Sequence, residues 1–274
     1  FYAESGGQIG DSGELIGIEE TIDIIDTKKE NDLFIHQAKS LPKNLEGIFR
    51  AEVNQDKRNL IESNHTATHL LHSALREVLG DHVQQRGSLV NDQSLRFDFS
   101  HFTKLSAEEL LAVEQQVNQK IRKNISLVER RSVPIDKAKE EGAMALFGEK
   151  YGDHVRMILF DAPYSVELCG GTHVKATGHI GMFKIISESS ISTGVRRIEA
   201  ITADMAESFL WQKIELLDQI EQTLKHPTDT LKALQVLLNE KNNLIKQIEA
   251  FNIAKTKELK KAVMAAAEVY KGIN

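Results

Sequence analysis

Cysteine is nearly absent: Cys169 is the single one in 274 residues. No intramolecular disulfide framework is available, and a reducing, cytoplasmic location is the expectation. No run approaches the roughly twenty consecutive apolar residues that a membrane-spanning helix needs. Prolines number only four and 27% of residues are charged, which fits a folded chain without wholesale disorder. Positive charge is not in excess either, with 34 Lys and Arg against 40 Asp and Glu and a formal charge of −6. That argues mildly against a general nucleic-acid binder. Basic residues do cluster at Arg122/Lys123, Arg130/Arg131, Arg196/Arg197 and Lys255 to Lys261, so any RNA contact is confined to patches. The opening, Phe1-Tyr2-Ala3-Glu4-Ser5, has no initiator Met and no basic-then-apolar leader. It reads as part of a longer protein rather than a signal peptide or a natural beginning.

Apolar residues make up 41% of the chain, enough for a sizeable core and two or three structural units. Residues 1–55 alternate short β-forming runs, Thr21 to Ile25 and Gly47 to Val53, with glycines and Pro42. They read as a small sheet or barrel-like portion. Residues 56–203 mix helical and strand periods. His65, Thr68, His69, Leu71, His72, Leu75 and Leu79 recur at helical intervals from Asn64, and Gly80 stands where a C-cap belongs. Gly87 to Phe99 alternates as a hairpin. Ser106 and Glu109 form a capping box that opens a helix to about Asn124. Strands follow over Ser126–Val133, Val155–Leu159, His179–Ser187 and Val195–Ile201, with a helix over Ile135–Phe147. Irregular alternation of this kind predicts an α+β fold. Residues 204–274 carry leucine stripes on two helices separated by His226-Pro227. These predict a long antiparallel hairpin or coiled-coil arm, its second helix running from about Asp229 to Tyr270 for roughly 60 Å. Self-association through that arm stays open.

His65 and His69 stand at i and i+4, on one face of the expected helix. Far along the chain, Cys169-Gly170-Gly171-Thr172-His173 brings a thiol and a third imidazole in C-x₃-H spacing, with two glycines to turn the segment tightly. Three histidines and one cysteine suit one tetrahedral zinc ion. The spacing leaves a second reading open, in which the histidines are solvated and Cys169 is a small buried apolar group. Cys169 with His173 also resembles a Cys–His nucleophile pair, yet no third residue is placed to orient it.

Six blocks occur in one order: Phe1 to Gln8, Asn64-His65-Thr66-Ala67-Thr68-His69-Leu70-Leu71, Gln85-Arg86-Gly87-Ser88-Leu89-Val90, Leu95 to Phe99, Glu167 to His173, and Gly194 to Ala200. Together they resemble the editing domain of alanyl-tRNA synthetases, and the helical tail resembles the arm that follows it. The resemblance implies that His65, His69, Cys169 and His173 are zinc ligands. It implies that Thr68 and Gln85 line the editing pocket, that Arg196 or Arg197 sits in its wall, and that Gly6-Gly7-Gln8 leans on the pocket as a glycine-rich turn. The ATP-dependent domain that joins alanine to tRNA lies upstream in that family and is not among these residues. The implied activity is hydrolysis of mischarged Ser-tRNA(Ala) and, more weakly, Gly-tRNA(Ala), with the Gly170 and Gly171 amides receiving the oxyanion. One zinc and the tRNA(Ala) acceptor end are the implied cofactor and partner, and no membrane is involved. The rival readings are a non-catalytic, zinc-stapled tRNA-binding module and a hydrolase of small esters.

Overall fold

The glycine-punctuated opening folds into four strands, β1 (Gly13–Ile16), β2 (Thr21–Glu30), β3 (Leu33–Ala38) and β4 (Arg50–Val53). They form one antiparallel sheet in the order β3-β2-β1-β4. Among the described residues this sheet is open, with β3 and β4 as its edges, where the sequence suggested a barrel-like portion. The computed structural model describes residues 1–31, 33–144 and 151–266. β2 buries Ile22, Ile24 and Thr27 and exposes Asp23 and Ile25, the alternation of a half-buried strand.

Next comes α1 (Gln55–Leu79), which starts at Gln55 rather than at Asn64. The first turns are polar and escape a periodicity search, but the Asn54 side chain caps them by accepting from the Lys57 N–H at 3.0 Å. Gly80 ends the helix as expected, with φ +112. The apolar face of α1, comprising Ile61, Ala67, Leu70, Leu71, Ala74 and Leu75, is fully buried. It belongs to one core with Phe97, Phe99, Phe183, Ile198 and Ala200. These come from β6 (Leu95–Ser100), β10 (Phe183–Ser192) and β11 (Val195–Thr202), which with β5 (Gln85–Val90) form a second antiparallel sheet in the order β10-β11-β6-β5. Each fully buried Ile, Leu or Phe among them contributes about 1.5–3 kcal/mol on burial.

The capping box at Ser106 is formed. Ser106 Oγ accepts from the Glu109 N–H at 3.1 Å, and Glu109 Oε2 accepts from the Ser106 N–H at 2.8 Å. It opens α2 (Ala107–Arg122), which buries Val113, Val117 and Ile121 at four-residue spacing. Ser106→Ala is expected to cost about 1 kcal/mol. Urea denaturation measures it, and an unchanged midpoint would show that the box adds nothing.

A third antiparallel sheet, order β7-β8-β9, joins β7 (Val128–Pro134), β8 (His154–Phe160) and β9 (Ser165–Leu168). The helix expected over Ile135–Phe147 is only α3 (Ile135–Glu140), which gives way to a turn with Gly142 at φ +80; residues 145–147 lie outside the described residues. The strand expected from His179 begins at Phe183, because Thr177–Ile180 forms a short 3₁₀ turn.

The chain divides into two compact units, Phe1–Phe209 and Leu210–Asn274. Both the 1–55 and the 56–203 portions fall in the first. There the guanidinium of Arg58 on α1 grips the Asp11 carboxylate, with Nε donating to Oδ1 at 2.8 Å and Nη2 to Oδ2. Of the two tail helices, α4 (Ala203–Thr223) crosses the boundary and α5 (Thr230–Ala266) lies wholly in the second unit. Lys225 and His226 take positive φ between them, so the break at His226-Pro227 stands. α5 buries no residue, and Leu237, Leu238 and Leu244 are each at least half exposed. The heptad-like stripe is present, but no buried seam forms along it. Residues 267–270 of the expected helix lie outside the described residues.

Candidate metal centre

Helical spacing places His65 and His69 one turn apart on α1, facing the segment that leaves β9. Cys169 follows β9 directly, and its N–H donates to the Arg156 carbonyl on β8 at 3.2 Å. The ligand-type atoms of His65, His69, Cys169 and His173 lie within 4.8 Å of one another. All four residues are at most 9% exposed. Cys169 Sγ is 3.4 Å from both His65 Nε2 and His173 Nε2. Tetrahedral zinc, with bonds of 2.0–2.3 Å, sets neighbouring N and S ligands roughly 3.5 Å apart.

The outer ring nitrogens are equally informative. His65 Nδ1 lies 2.7 Å from Gln8 Oε1. An amide oxygen only accepts, so Nδ1 carries the proton and the Nε2 lone pair faces Cys169. His173 Nδ1 lies 3.1 Å from Thr66 Oγ1, which also accepts from the Val174 N–H at 3.2 Å. His69 turns Nε2 toward Glu167 Oε2 at 3.5 Å. Its Nδ1 is buried and has no hydrogen-bond partner. That orphaned nitrogen is what a bound metal ion would satisfy. With each histidine braced from outside, the set has the organisation of a metal site.

Burial pushes the pKa of His65 and His173 well below the ordinary histidine range, and neighbouring His69 and Arg156 push the same way. Burial also lowers His69, although Glu167 opposes it. Neutral imidazoles with free lone pairs are the form a metal needs. Burial raises Glu167, but the neighbouring His69 and His72 side chains outweigh it and hold the carboxyl below its usual range. Its anionic charge would offset the net +1 of a divalent ion held by one thiolate. His72 Nδ1 stands 3.4 Å from Glu167 Oε1, a close electrostatic contact with poor hydrogen-bond alignment.

The turn itself is held by Arg156, whose Nη1 donates to the carbonyls of Cys169 at 2.9 Å and Gly171 at 2.6 Å. Its Nε donates to Glu129 Oε1 at 2.7 Å. Arg131 and Arg156 together hold the Glu129 pKa down at about 2. Gly171 is required by close approach: a Cβ there would lie 2.1 Å from His65 Cε1. The Gly171 amide donates to Cys169 Sγ at 3.4 Å, so it helps to hold the sulfur. Gly170 is exposed and open on its Cβ side.

The other expected pocket residues are more scattered. Thr68 is buried on α1 and its hydroxyl donates to the Asn64 carbonyl at 2.9 Å, leaving lone pairs to accept. Gln85 opens β5 opposite Phe99, on the sheet face that α1 covers. Arg196 donates from Nε to Glu188 Oε1 at 2.5 Å and is largely buried, whereas Arg197 makes a forked pair with Asp98. Among the described residues no hydrogen bond joins Gln85, Arg196 or Arg197 to the four ligand residues. Thr66, Arg156 and the pair His72/Glu167 were not singled out from the sequence as part of the site. Alternation offered one of them: Glu167 is two residues before Cys169 and so shares its side of the strand.

The segment that supplies Arg156, β9 and the Cys169–His173 turn is of a type attached to tRNA synthetases. Residues 150–199 match the family model described as the threonyl and alanyl tRNA synthetase second additional domain. Along its full length the chain is 54% identical to alanine–tRNA ligase of Cytophaga hutchinsonii, and it covers 31% of that relative. It is 53% identical to alanine–tRNA ligase of Bacteroides fragilis and 51% identical to that of Parabacteroides distasonis, again covering 31% of each. The chain belongs to the alanine–tRNA ligase family and spans about a third of the length of these relatives.

Proposed function

We propose that this chain hydrolyses the ester of mischarged Ser-tRNA(Ala), and more weakly of Gly-tRNA(Ala), at a zinc centre held by His65, His69, Cys169 and His173. The observation that carries the reading is the convergence of four metal-type ligand atoms from segments about 100 residues apart, with one buried imidazole nitrogen unsatisfied. The chemical need is specific. A synthetic pocket shaped for a methyl group cannot strongly reject an isostere that adds a hydroxyl, so a second, hydrolytic site removes the error.

Zinc bound there supplies Lewis acidity toward the ester carbonyl and orients the aminoacyl end. Thr68, with its proton committed to the helix, offers lone pairs to the seryl hydroxyl, and Gln85 reads the same group from β5. The exposed Gly170 would offer its amide to developing negative charge, since the Gly171 amide serves Cys169. Arg156 fixes the turn that aims both. Phosphates of the acceptor end fall to Arg122/Lys123. Arg130, Arg131, Arg196 and Arg197 are already paired with Glu141, Glu129, Glu188 and Asp98.

The staple alternative has one observation in its favour: four protein ligands close a tetrahedral site, as structural zincs do. The parent activity, joining alanine to tRNA(Ala) with ATP in the cytoplasm, would belong to the longer protein. Amino-acid release from Ser-tRNA(Ala), measured beside zinc content in the same sample, tests the proposal. One zinc per chain without hydrolysis favours the staple.

A further inference from the structure

We infer that Gln8 is a positioning residue of the metal centre, so that metal capture depends on the docked Ser5–Gln8 turn. The inference rests on the zinc reading above and concerns how the site is assembled.

The turn is built to hold one side chain rigidly. Gly6 and Gly7 both have positive φ, +59 and +85, and Ser5 and Gln8 exchange backbone bonds of 3.2 and 3.0 Å. Two central residues with positive φ define a type I′ turn, which strongly favours glycine. The turn is then fastened to β5: the Val90 N–H donates to the Gly7 carbonyl at 2.7 Å and the Ile9 N–H to the Val90 carbonyl at 3.1 Å. A Cβ on Gly7 would lie 2.5 Å from the Ser88 carbonyl oxygen, so the approach is as close as glycine permits.

From this platform the Gln8 side chain enters the site fully buried. Oε1 accepts from His65 Nδ1 at 2.7 Å and from the Thr172 N–H at 2.9 Å, and Nε2 donates to Thr172 Oγ1 at 3.0 Å. One carboxamide thereby joins a ligand on α1 to the turn that carries Cys169 and His173. It sets the His65 tautomer and fixes the gap between the two halves of the ligand set. Both ends of the carboxamide are engaged and shielded from solvent, so it is not placed to hold an attacking water.

The test compares the 274-residue chain with Gln8→Met, which keeps the length without the acceptor, and Gln8→Glu, which keeps the acceptor. Zinc affinity is read by competition with a chromophoric chelator, cobalt substitution by the visible spectrum of a tetrahedral thiolate site, and folding by far-UV circular dichroism. Gln8→Met is expected to weaken zinc binding about 10–100-fold, and Gln8→Glu to stay within about threefold of the unmodified chain. Equal affinity in Gln8→Met, or an equal loss in both variants, overturns the inference. If Gln8→Met fails to fold without metal, Gln8→Glu decides alone, with retained affinity supporting the acceptor role and lost affinity refuting it. An unmodified chain that binds neither zinc nor cobalt refutes the underlying metal reading instead.

Discussion

His69→Ala is expected to lower zinc affinity more than about 100-fold and to abolish release of serine from Ser-tRNA(Ala), while the chain still folds. A ligand removed outright costs more than the 10–100-fold typical of an outer hydrogen-bond partner. Folding survives because the core of the first unit does not depend on the metal. Leu70, Leu71, Ala74 and Leu75 of α1 are fully buried in one core with Phe97, Phe99 and Phe183, and at about 1.5–3 kcal/mol per large side chain that layer outweighs one lost ligand. A staple behaves differently, since the binding free energy of a structural zinc is folding free energy. Circular dichroism, a melting curve and tRNA binding on the same variant separate the two: a cooperative melt with retained binding and no hydrolysis supports the editing reading, and an unfolded chain supports the staple.

Arg58→Leu carries the largest expected stability loss, about 3–5 kcal/mol. The Asp11 side chain is 1% exposed and its ion-pair partner is Arg58. Truncating the cation strands a buried carboxylate, with backbone donation from Tyr2 its one remaining partner among the described residues. Replacing both partners by leucine removes the uncompensated charge, so the double variant is expected to be more stable than Arg58→Leu. Chemical denaturation of the set measures this, and a double variant as unstable as the single would contradict it. The same pair anchors the N-terminal segment three residues from Gln8. Arg58→Leu is therefore also expected to weaken zinc binding, which no purely local account of the ion pair requires.

Much of this architecture follows from short-range chemistry visible in the sequence. The helical spacing of His65 and His69, the Ser106/Glu109 box and the alternation of Leu95, Phe97 and Phe99 each encode an element by local geometry, and each element is there. The cluster of His65, His69, Cys169 and His173 was legible in its two halves because two spacings, i,i+4 on a helix and C-x₃-H on a glycine turn, each bring donors together locally. What joins the halves was not legible. Thr66, Glu167, Arg156 and the specific bonds of Gln8 act across 107, 98, 15 and 57 or more residues, and although alternation sets Glu167 two residues before Cys169, no local period marks the partner that any of them reaches. β9 was missed because Ser165–Leu168 is only four residues long, too short for its polar–apolar alternation to stand out as a strand. The first turns of α1 were missed because they are polar, and only the Asn54 cap announces them. The arm differs for another reason: heptad spacing specifies a stripe that seeks a partner, and it does not specify which surface supplies one.

The central claim is most directly tested by presenting Ser-tRNA(Ala) and Ala-tRNA(Ala) to the purified chain, with and without a zinc chelator, and following amino-acid release. The account predicts that serine is released, that alanine is retained, and that the chelator stops the reaction. A chain with one zinc bound that leaves Ser-tRNA(Ala) intact, or one that releases serine equally well after the metal is stripped, would contradict it.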